Sequence, residues 1–521
     1  MILSTLDLAI IAFYCTGLIG LGYWVSREKP GHEKNSADYF MASKSLPWWA
    51  IGASLIAANI SAEQIIGMSG SGYALGLGIA AYEWMAAITL LLVGKYFIPV
   101  FLKKNIYTMP QFLEQRFDSR VRLVTAVFWL GVYVLVNLTS VLYLGALAIN
   151  TITGLAITHC LVFLALFSVA YSIYGGLKAV ALTDIIQVVL LVFGGLLVSY
   201  LSLDKIADGA GIWSGFQTLL TAVPEKFDLI LSPDNPHYMS LPGISVLIGG
   251  MWVMNFSYWG FNQYITQRAL AAKNLKEAQK GIVFGACLKL LMPLIVVVPG
   301  IAAVVLAPEL TRPDEAFPEM MKLVPSGLLG IVFAALIAAI ASSLSSMTNS
   351  ISTIFTMDIY KPLINPEASE HRLVIIGRSV AILAMTIAVL IAQPLLGKFD
   401  QAFQYIQEFT GFFTPGIVVI FALGIFWKKT TANAALIAAI SSAALSLVLK
   451  IFWPELPFMD RIGLVFLLCA AIAIIVSLRE STGPHPNAID LNDINFNTST
   501  SFNLASVAVI LILIGLYSTW W

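Results

Sequence analysis

Charged side chains are scarce in this sequence of 521 residues. Asp, Glu, Lys and Arg together make up 11% of the chain, whereas soluble globular domains carry about 25%. The hydrophobic content is 59% and the mean hydropathy is +0.86. This composition excludes an ordinary soluble protein and indicates many membrane crossings. Basic and acidic residues number 29 each, and this balance argues against a nucleic-acid partner.

Cysteine and histidine are also sparse. The four cysteines lie far apart in apolar runs, and the five histidines show no spacing typical of a metal site. The sequence contains no glycine-rich phosphate loop and no nucleophile elbow. These absences argue against an enzyme, and no loop is long enough to hold an attached catalytic or signalling domain.

Long apolar runs are abundant, and a membrane span needs about 20 mostly apolar residues. The first run, 6–25, is followed by its positive charges, which indicates a spanning helix instead of a signal peptide. We predict an all-α polytopic membrane protein with about fourteen spans. Their approximate limits are 5–25, 48–72, 77–101, 122–150, 157–175, 179–203, 241–265, 279–307, 327–357, 373–395, 402–427, 432–453, 458–478 and 502–520.

The distribution of basic residues sets the expected topology. Clusters of Lys and Arg occupy alternate loops, and the intervening loops carry only isolated ones. The positive-inside rule therefore places the clustered loops in the cytoplasm and both termini outside. We divide the chain into a peripheral helix with its loop (1–47), a first five-helix repeat (48–203), an outer loop (204–240), a second, inverted repeat (241–427) and additional C-terminal helices (428–521).

Two predicted spans are interrupted by polar and small residues. The stretch SLIAANISAEQIIGMSGSGY (54–73) holds an acid and two amides, and segment 241–265 holds adjacent glycines and several amides. The two segments lie five spans apart, so the second is inverted relative to the first. Paired interrupted helices in inverted halves point to a substrate site near the membrane midplane.

A broken helix frees backbone carbonyls that hydrocarbon cannot satisfy, and such oxygens suit a small cation. We hypothesise that the carbonyls of Ala57 and Ile60 bind sodium. Ala339 lies one helical turn before Ser342 and Ser343, so its carbonyl and both hydroxyls can converge. The alternatives are a kink supported by neighbouring helices, and serines that bond their own helix or allow close packing.

Polar side chains within spans are usually paired and functional. The candidates here are neutral or of mixed charge, and aromatic residues accompany them. This mixture suits an uncharged polyhydroxylated ligand, whose hydroxyls bond polar groups and whose C–H faces pack on rings. The alternative is a structural Glu83–Lys289 ion pair with aromatic packing. The polar candidates are Gln64, Glu83, Asn255, Lys289 and Gln407, and the others are Met68, Tyr82, Tyr258, Trp259 and Phe403.

Three further residues each leave two interpretations open. Glu63 follows the first interruption, where we favour a structural cap or pair over ligand contact. Asp184 lies near the cytoplasmic end of its span, either on an ion exit path or bonded within the protein. Asn137 is an amide in the middle of a span with the same ambiguity.

Several stretches resemble the sodium:solute symporters, and more closely the bacterial sodium/glucose (galactose) cotransporters. They include YSIYGGLKAVALTDIIQ (171–187), YWGFNQYITQR (258–268) and QAFQYIQEFTG (401–411), and similar matches run through nearly the whole chain. The resemblance implies a LeuT-type 5+5 inverted-repeat fold with added outer helices. It also implies secondary active symport of galactose or glucose with sodium, by alternating access, in a bacterial inner membrane.

The resemblance further implies individual roles. Sugar contacts the five polar candidates and Tyr258, sodium binds the five residues proposed for it, and Asp184 assists ion release. The alternative solute is myo-inositol, sialic acid, an amino acid or a vitamin. A homodimer is compatible with the sequence, but no feature requires one. The gate candidates are Met68, Tyr82 and Phe403 on the outer side, Tyr258 on the inner side, and Trp259 next to Tyr258.

Two positions depart from these relatives. Where the relatives carry a serine that touches the sugar, this chain has Ala86, and where they carry an aromatic hydroxyl it has Ser257. One lost hydroxyl contact weakens binding by about 0.5–1.5 kcal/mol. The preference between galactose and glucose therefore stays open.

Overall fold

The computed structural model describes residues 3–25, 44–172, 176–397 and 402–521. Helices account for the regular structure of these ranges, which contain no β-strand. One isolated bridge pairs Leu46 with Ala272. The predicted all-α class is confirmed.

The helices follow the order of the predicted spans. The first half contains α1 (Thr5–Val25), α2 (Trp48–Asn59), α3 (Glu63–Leu75), α4 (Leu77–Lys104), α5 (Met109–Arg116), α6 (Ser119–Thr153), α7 (Ile157–Ser172), α8 (Gly176–Ile206), α9 (Ile212–Ala222), α10 (Ser245–Ile248), α11 (Gly250–Asn255) and α12 (Gln263–Leu270). The second half contains α13 (Leu275–Leu306), α14 (Ala316–Met321), α15 (Leu328–Ile364), α16 (Glu370–Leu396), α17 (Ala402–Thr410), α18 (Thr414–Phe426), α19 (Ala432–Phe452), α20 (Phe458–Glu480) and α21 (Thr500–Thr519).

The count of about fourteen spans is not confirmed. Within the described residues nine helices are long and apolar enough to cross a membrane, and the bent pairs α2–α3 and α17–α18 raise the number to eleven. The first and fifth predicted spans correspond to α1 and α7, of which the fully described parts, Thr5–Leu21 and Ile157–Ala170, are apolar. The seventh is divided among α10, α11 and α12, because Gly249 and Asn262 depart from helical geometry.

Both interrupted spans are broken helices, as the sequence predicted. Helices α2 and α3 meet at 57°, and the backbone at Ile60, between them, has φ −71° and ψ 81°. The second interrupted span continues from α11 through a π-helical turn, Phe256–Phe261, and then breaks at Asn262, which has φ −74° and ψ 126°. Each break frees backbone N–H and C=O groups that need partners inside the protein.

Glycines allow helix α13 to approach both halves of the first broken helix. A Cβ on Gly52 of α2 would lie 2.7 Å from the carbonyl oxygen of Gly281 in α13. A Cβ on Gly300 of α13 would lie 2.1 Å from the carbonyl oxygen of Ser69 in α3. Small residues at such crossings let helices pack backbone to backbone, so α13 supports the break from both sides.

We expect Gly300→Ala to destabilise the protein, because the added methyl group forces α3 and α13 apart. Overpacking of this kind costs about 1–3 kcal/mol. Gly515→Ala in α21 is the matched control, since no atom lies within 4 Å of the added Cβ. Thermal unfolding in detergent should show a lower melting temperature for the first variant alone, and equal melting temperatures would contradict this packing.

Candidate functional site

A polar cavity lies between the broken helices. Its volume is about 60 Å³, and one water molecule needs about 10–15 Å³ on the same measure. The cavity therefore has room for a few waters, and a larger solute requires its walls to separate. The polar lining consists of Asn59, Glu63, Gln64, Glu83, Asn137, Asn255, Ser257, Asn262, Gln407, Thr410 and Thr414, and the aromatic lining consists of Tyr82, Tyr258, Trp259 and Phe403.

Glu83 and Lys289 form an enclosed ion pair at the cavity wall. Lys289 Nζ lies 2.5 Å from Glu83 Oε2, and the two side chains are 0% and 3% exposed. Lys289 also donates to Asn59 Oδ1, and its Nζ lies 4.7 Å from the centre of the Trp259 ring. Glu83 lines the cavity, whereas Lys289 lies behind it. The ammonium therefore compensates the carboxylate, and the pair presents no net charge to the cavity.

Glu63 lies on the cavity wall as well as in a structural pair. Its Oε1 accepts a 3.1 Å hydrogen bond from Gln407 Nε2, which joins α3 to α17, and both side chains line the cavity. The sequence favoured the structural pair for Glu63 and did not place the residue beside a ligand. Its exposure to the cavity depends on how α17 packs, which periodicity alone does not reveal.

Three side-chain atoms on the wall lack a hydrogen-bond partner within the described part of the chain. They are Gln64 Oε1, Tyr82 OH and Asn137 Oδ1, and all three residues are buried. A buried polar atom without a hydrogen-bond partner destabilises a protein by about 1–3 kcal/mol. Water or a ligand in the cavity would supply the missing partners of these three atoms. By contrast, Asn255 Nδ2 already donates to the carbonyl of Met251 at 3.1 Å. The cavity is equipped for a solute rich in hydrogen-bonding groups.

The aromatic gate candidates form two contacts. Tyr82 and Phe403 meet edge to face, with ring centres 5.1 Å apart. The Tyr258 hydroxyl accepts hydrogen bonds from Asn59 Nδ2 at 3.0 Å and from the Tyr264 hydroxyl at 2.9 Å. The first contact joins α4 to α17, which are remote in sequence, and the second joins Tyr258 to α2 and to α12. A gate requires contacts of this kind between separate segments.

Two of the five predicted sodium ligands, Ser343 and Ala57, lie in contact close to the first break. Ser343 Oγ of α15 lies 3.2 Å from the carbonyl oxygen of Ala58 and 3.5 Å from that of Ala57. Ala339 and Ser342 lie on the same completely buried stretch of α15. The donors are neutral oxygens, which fit a monovalent cation better than the carboxylate-binding Ca²⁺ or Mg²⁺. Within the described ranges, no group of three or more His, Cys, Asp or Glu residues could hold a metal ion together.

Lys289 and Met68 are sugar or gate candidates that do not line the cavity, and several residues that line it were not assigned a role from the sequence. Met68 is completely buried without lining the cavity, and the side chain of Asp184 lies outside the described residues. Asn59, Asn137 and Asn262 line the cavity. Their signal in the sequence was an amide within an apolar span, which fits a structural bond equally well.

Residues 39–441 match the model of the sodium:solute symporter family. The chain belongs to this family. The matched range contains both broken helices, the Glu83–Lys289 pair and Ser343, so the cavity and the predicted sodium ligands lie in the part that the symporter shares with the family.

Individual relatives are similar over most of the symporter. It is 51% identical to the sodium/glucose cotransporter of Vibrio parahaemolyticus, over 100% of this chain and 99% of that protein. It is 32% identical to the sodium/myo-inositol cotransporter 2 of Homo sapiens, over 85% of this chain and 69% of that protein. The solved structure of a Na⁺-coupled sialic acid symporter, bound to substrate and outward-open, has a TM-score of 0.80 and 26% identity, covering 92% of this chain and 99% of that chain.

These similarities confirm the expectations for fold, ion and location. The symporter has the LeuT-type fold of inverted five-helix repeats and is a multi-pass membrane protein. Sodium is its coupling ion. The relatives and the structural neighbour are transporters, which agrees with the absence of catalytic motifs from the sequence.

Proposed function

We propose that the symporter carries galactose or glucose into the cell together with sodium, by alternating access in a bacterial inner membrane. The observation that carries this proposal is the composition of the cavity wall. The charges of its ion pair compensate each other, and aromatic rings line the same wall. The amide oxygens of Gln64 and Asn137 and the Tyr82 hydroxyl have no hydrogen-bond partner among the described residues. Sugar hydroxyls and C–H faces match these groups. The identity to a sodium/glucose cotransporter supports the same solute class.

The wall disfavours a carboxylated solute as the principal cargo. Such a solute needs a positive partner, and the ammonium of Lys289 is already bonded to Glu83 and Asn59. myo-Inositol presents only hydroxyls, so it is the second candidate, and a relative named as a sodium/myo-inositol cotransporter favours testing it.

The proposed residue roles are assigned to side chains in the cavity, beside it and at the first break. Gln64, Glu83, Asn255 and Gln407 offer hydrogen bonds to sugar hydroxyls, Lys289 holds the Glu83 carboxylate, and Tyr258 closes the inner side. Sodium binds at the first break and holds α2 against α15. The proposed ligands are Ala57, Ile60 and Ala339 through their carbonyls, and Ser342 and Ser343 through their hydroxyls.

Sodium drives transport only if it binds the two access states with different affinity. One positive charge that crosses about 100 mV releases about 2.3 kcal/mol, and a tenfold ion gradient adds about 1.4 kcal/mol. A one-to-one cycle can therefore sustain roughly a few-hundred-fold sugar gradient.

Uptake into proteoliposomes tests the solute assignment. With an inward sodium gradient, we expect labelled galactose or glucose to enter faster than myo-inositol or sialic acid. Gln64→Ala should lower the sugar's kcat/KM roughly tenfold, because it removes a hydrogen-bonding group from the wall. Gln217→Ala is the control, since Gln217 is exposed on α9. Faster uptake of myo-inositol or sialic acid than of either hexose would overturn the assignment.

A further inference from the structure

The second broken helix is capped by a residue from another helix. Helix α12 begins after Asn262, and the first N–H groups of a helix have no partner within it. Gln263 N donates to the Tyr133 hydroxyl at 2.8 Å, and that hydroxyl donates to Asn262 Oδ1 at 2.7 Å. Asn262 is a favoured capping residue, yet its side chain makes no capping bond to α12. Tyr133, on α6, supplies the cap instead. We call Tyr133, Asn262 and Gln263 the clasp.

The clasp is anchored on its other side by the segment before α5. Gln263 Oε1 accepts a hydrogen bond from Met109 N at 2.8 Å, and its Nε2 donates to the carbonyl of Tyr107 at 3.1 Å. Tyr133 and Gln263 are 1% and 0% exposed. These hydrogen bonds are shielded from water, so removal of one bonding group leaves its partner without a hydrogen bond.

The clasp borders the cavity on the side that leads to the basic end of α12. Asn262 lines the cavity, and Tyr133 and Asn262 both line an adjoining cavity of about 30 Å³. The two cavities share Asn137 and Ser257. Beyond the clasp, α12 continues into the basic loop that the positive-inside rule places in the cytoplasm.

The clasp is also coupled to the candidate inner gate. Tyr264, the residue after Gln263, donates its hydroxyl to that of Tyr258 at 2.9 Å. Its ring centre lies 5.6 Å from that of Tyr133. Any movement of α12 away from α6 therefore pulls on Tyr258 as it releases the clasp.

We propose that Tyr133 is a positioning residue that holds α12 in the inward-closed arrangement and releases it when the cavity opens to the cytoplasm. One hydroxyl makes both bonds, so they form and break together. When α12 moves away, cytoplasmic water satisfies Asn262 and the N–H of Gln263. Tyr133→Phe therefore weakens the inward-closed state alone. This inference rests on the alternating-access cycle of the proposed function and not on which solute is carried.

The test measures access to the cavity from each side in the absence of sugar. The background carries serine at the four native cysteine positions. One reporter is Ile417→Cys, which lines the adjoining cavity. The other is Ala402→Cys, at a buried residue whose N–H donates to Asp314 of the predicted outer loop. A membrane-impermeant maleimide labels each reporter, in inside-out and right-side-out vesicles respectively.

We expect Tyr133→Phe to speed labelling of the inner reporter about tenfold and to slow labelling of the outer one. Tyr517→Phe is the control, because its buried hydroxyl has no partner among the described residues. An unchanged inner rate would overturn the proposal, as would an equal increase at both reporters, which indicates general loosening. In the chain with native Tyr133, opposite changes in the two labelling rates on adding sodium report alternating access itself. Uptake measurements report which solute is carried. A failure of this proposal is therefore distinguishable from a failure of the proposed function.

Discussion

Lys289→Ala should abolish sodium-driven uptake and destabilise the protein. The substitution leaves the Glu83 carboxylate buried without its ammonium, since the two side chains are only 3% and 0% exposed. Breaking such a pair by removing one partner costs about 3–5 kcal/mol. Thermal unfolding and uptake by the same preparation measure the two effects. Lys428→Ala is the control, because the Lys428–Asp490 pair is 48% and 53% exposed and such pairs contribute little.

A double variant separates stability from transport. Glu83→Gln with Lys289→Met removes both charges at similar volume, and replacement of a whole buried pair is often neutral or stabilising. We expect its melting temperature to recover while uptake stays lost, because the carboxylate that accepts sugar hydroxyls is absent. Recovery of transport together with stability would show that the pair is purely structural. A normal melting temperature for Lys289→Ala would contradict the enclosed ion pair.

Ser343→Ala should raise the sodium concentration needed for half-maximal uptake about 10- to 100-fold. The variant removes the hydroxyl that lies 3.2 Å from the Ala58 carbonyl and 3.5 Å from that of Ala57. A hydrogen bond or ligand contact to a charged group contributes about 1.5–3 kcal/mol, and each 1.4 kcal/mol is about a tenfold change in affinity. Initial uptake rates measured across a range of sodium concentrations give the shift.

Ser352→Ala is the matched control for the sodium prediction. Ser352 is a completely buried serine of the same helix, α15, and its hydroxyl has no partner among the described residues. Its removal should leave the sodium dependence unchanged. If both variants altered the half-saturating concentration equally, or if neither did, sodium would bind elsewhere.

Asn59 joins the parts of the site that must act together. It directly follows Ala58, whose carbonyl faces Ser343. Its Oδ1 accepts a hydrogen bond from Lys289, and its Nδ2 donates to the Tyr258 hydroxyl. A shift at the first break therefore reaches the ion pair and the candidate inner gate through a single side chain. This is a physical route for the linkage between sodium and solute that symport requires.

Composition and patterning predicted the class, the helical segments and the location of both breaks. Polar residues inside apolar spans mark positions where a helix cannot continue unsupported, and the breaks at Ile60 and Asn262 fall there. Helical spacing placed Ala339, Ser342 and Ser343 on one turn. That Ser343 faces the end of α2 came from the resemblance, since spacing defines a face of a helix but not its neighbour.

The features that the sequence did not reveal depend on contacts between distant segments. Lys289 lies behind Glu83 instead of on the cavity wall, because α13 approaches α4 from outside the cavity. Tyr133 caps a helix that begins 130 residues later. The seventh predicted span is divided into short helices, because Gly249 and Asn262 interrupt its helical geometry. None of these arrangements leaves a periodic pattern in the sequence.

Sodium-driven accumulation tests the central claim most directly. Purified protein in proteoliposomes should concentrate labelled galactose or glucose above the external level when sodium is high outside. The gradient of sugar should collapse when a sodium ionophore is added, and potassium in place of sodium should give no accumulation. Equal final levels with sodium and with potassium, in a preparation that transports sugar, would contradict sodium-coupled sugar symport.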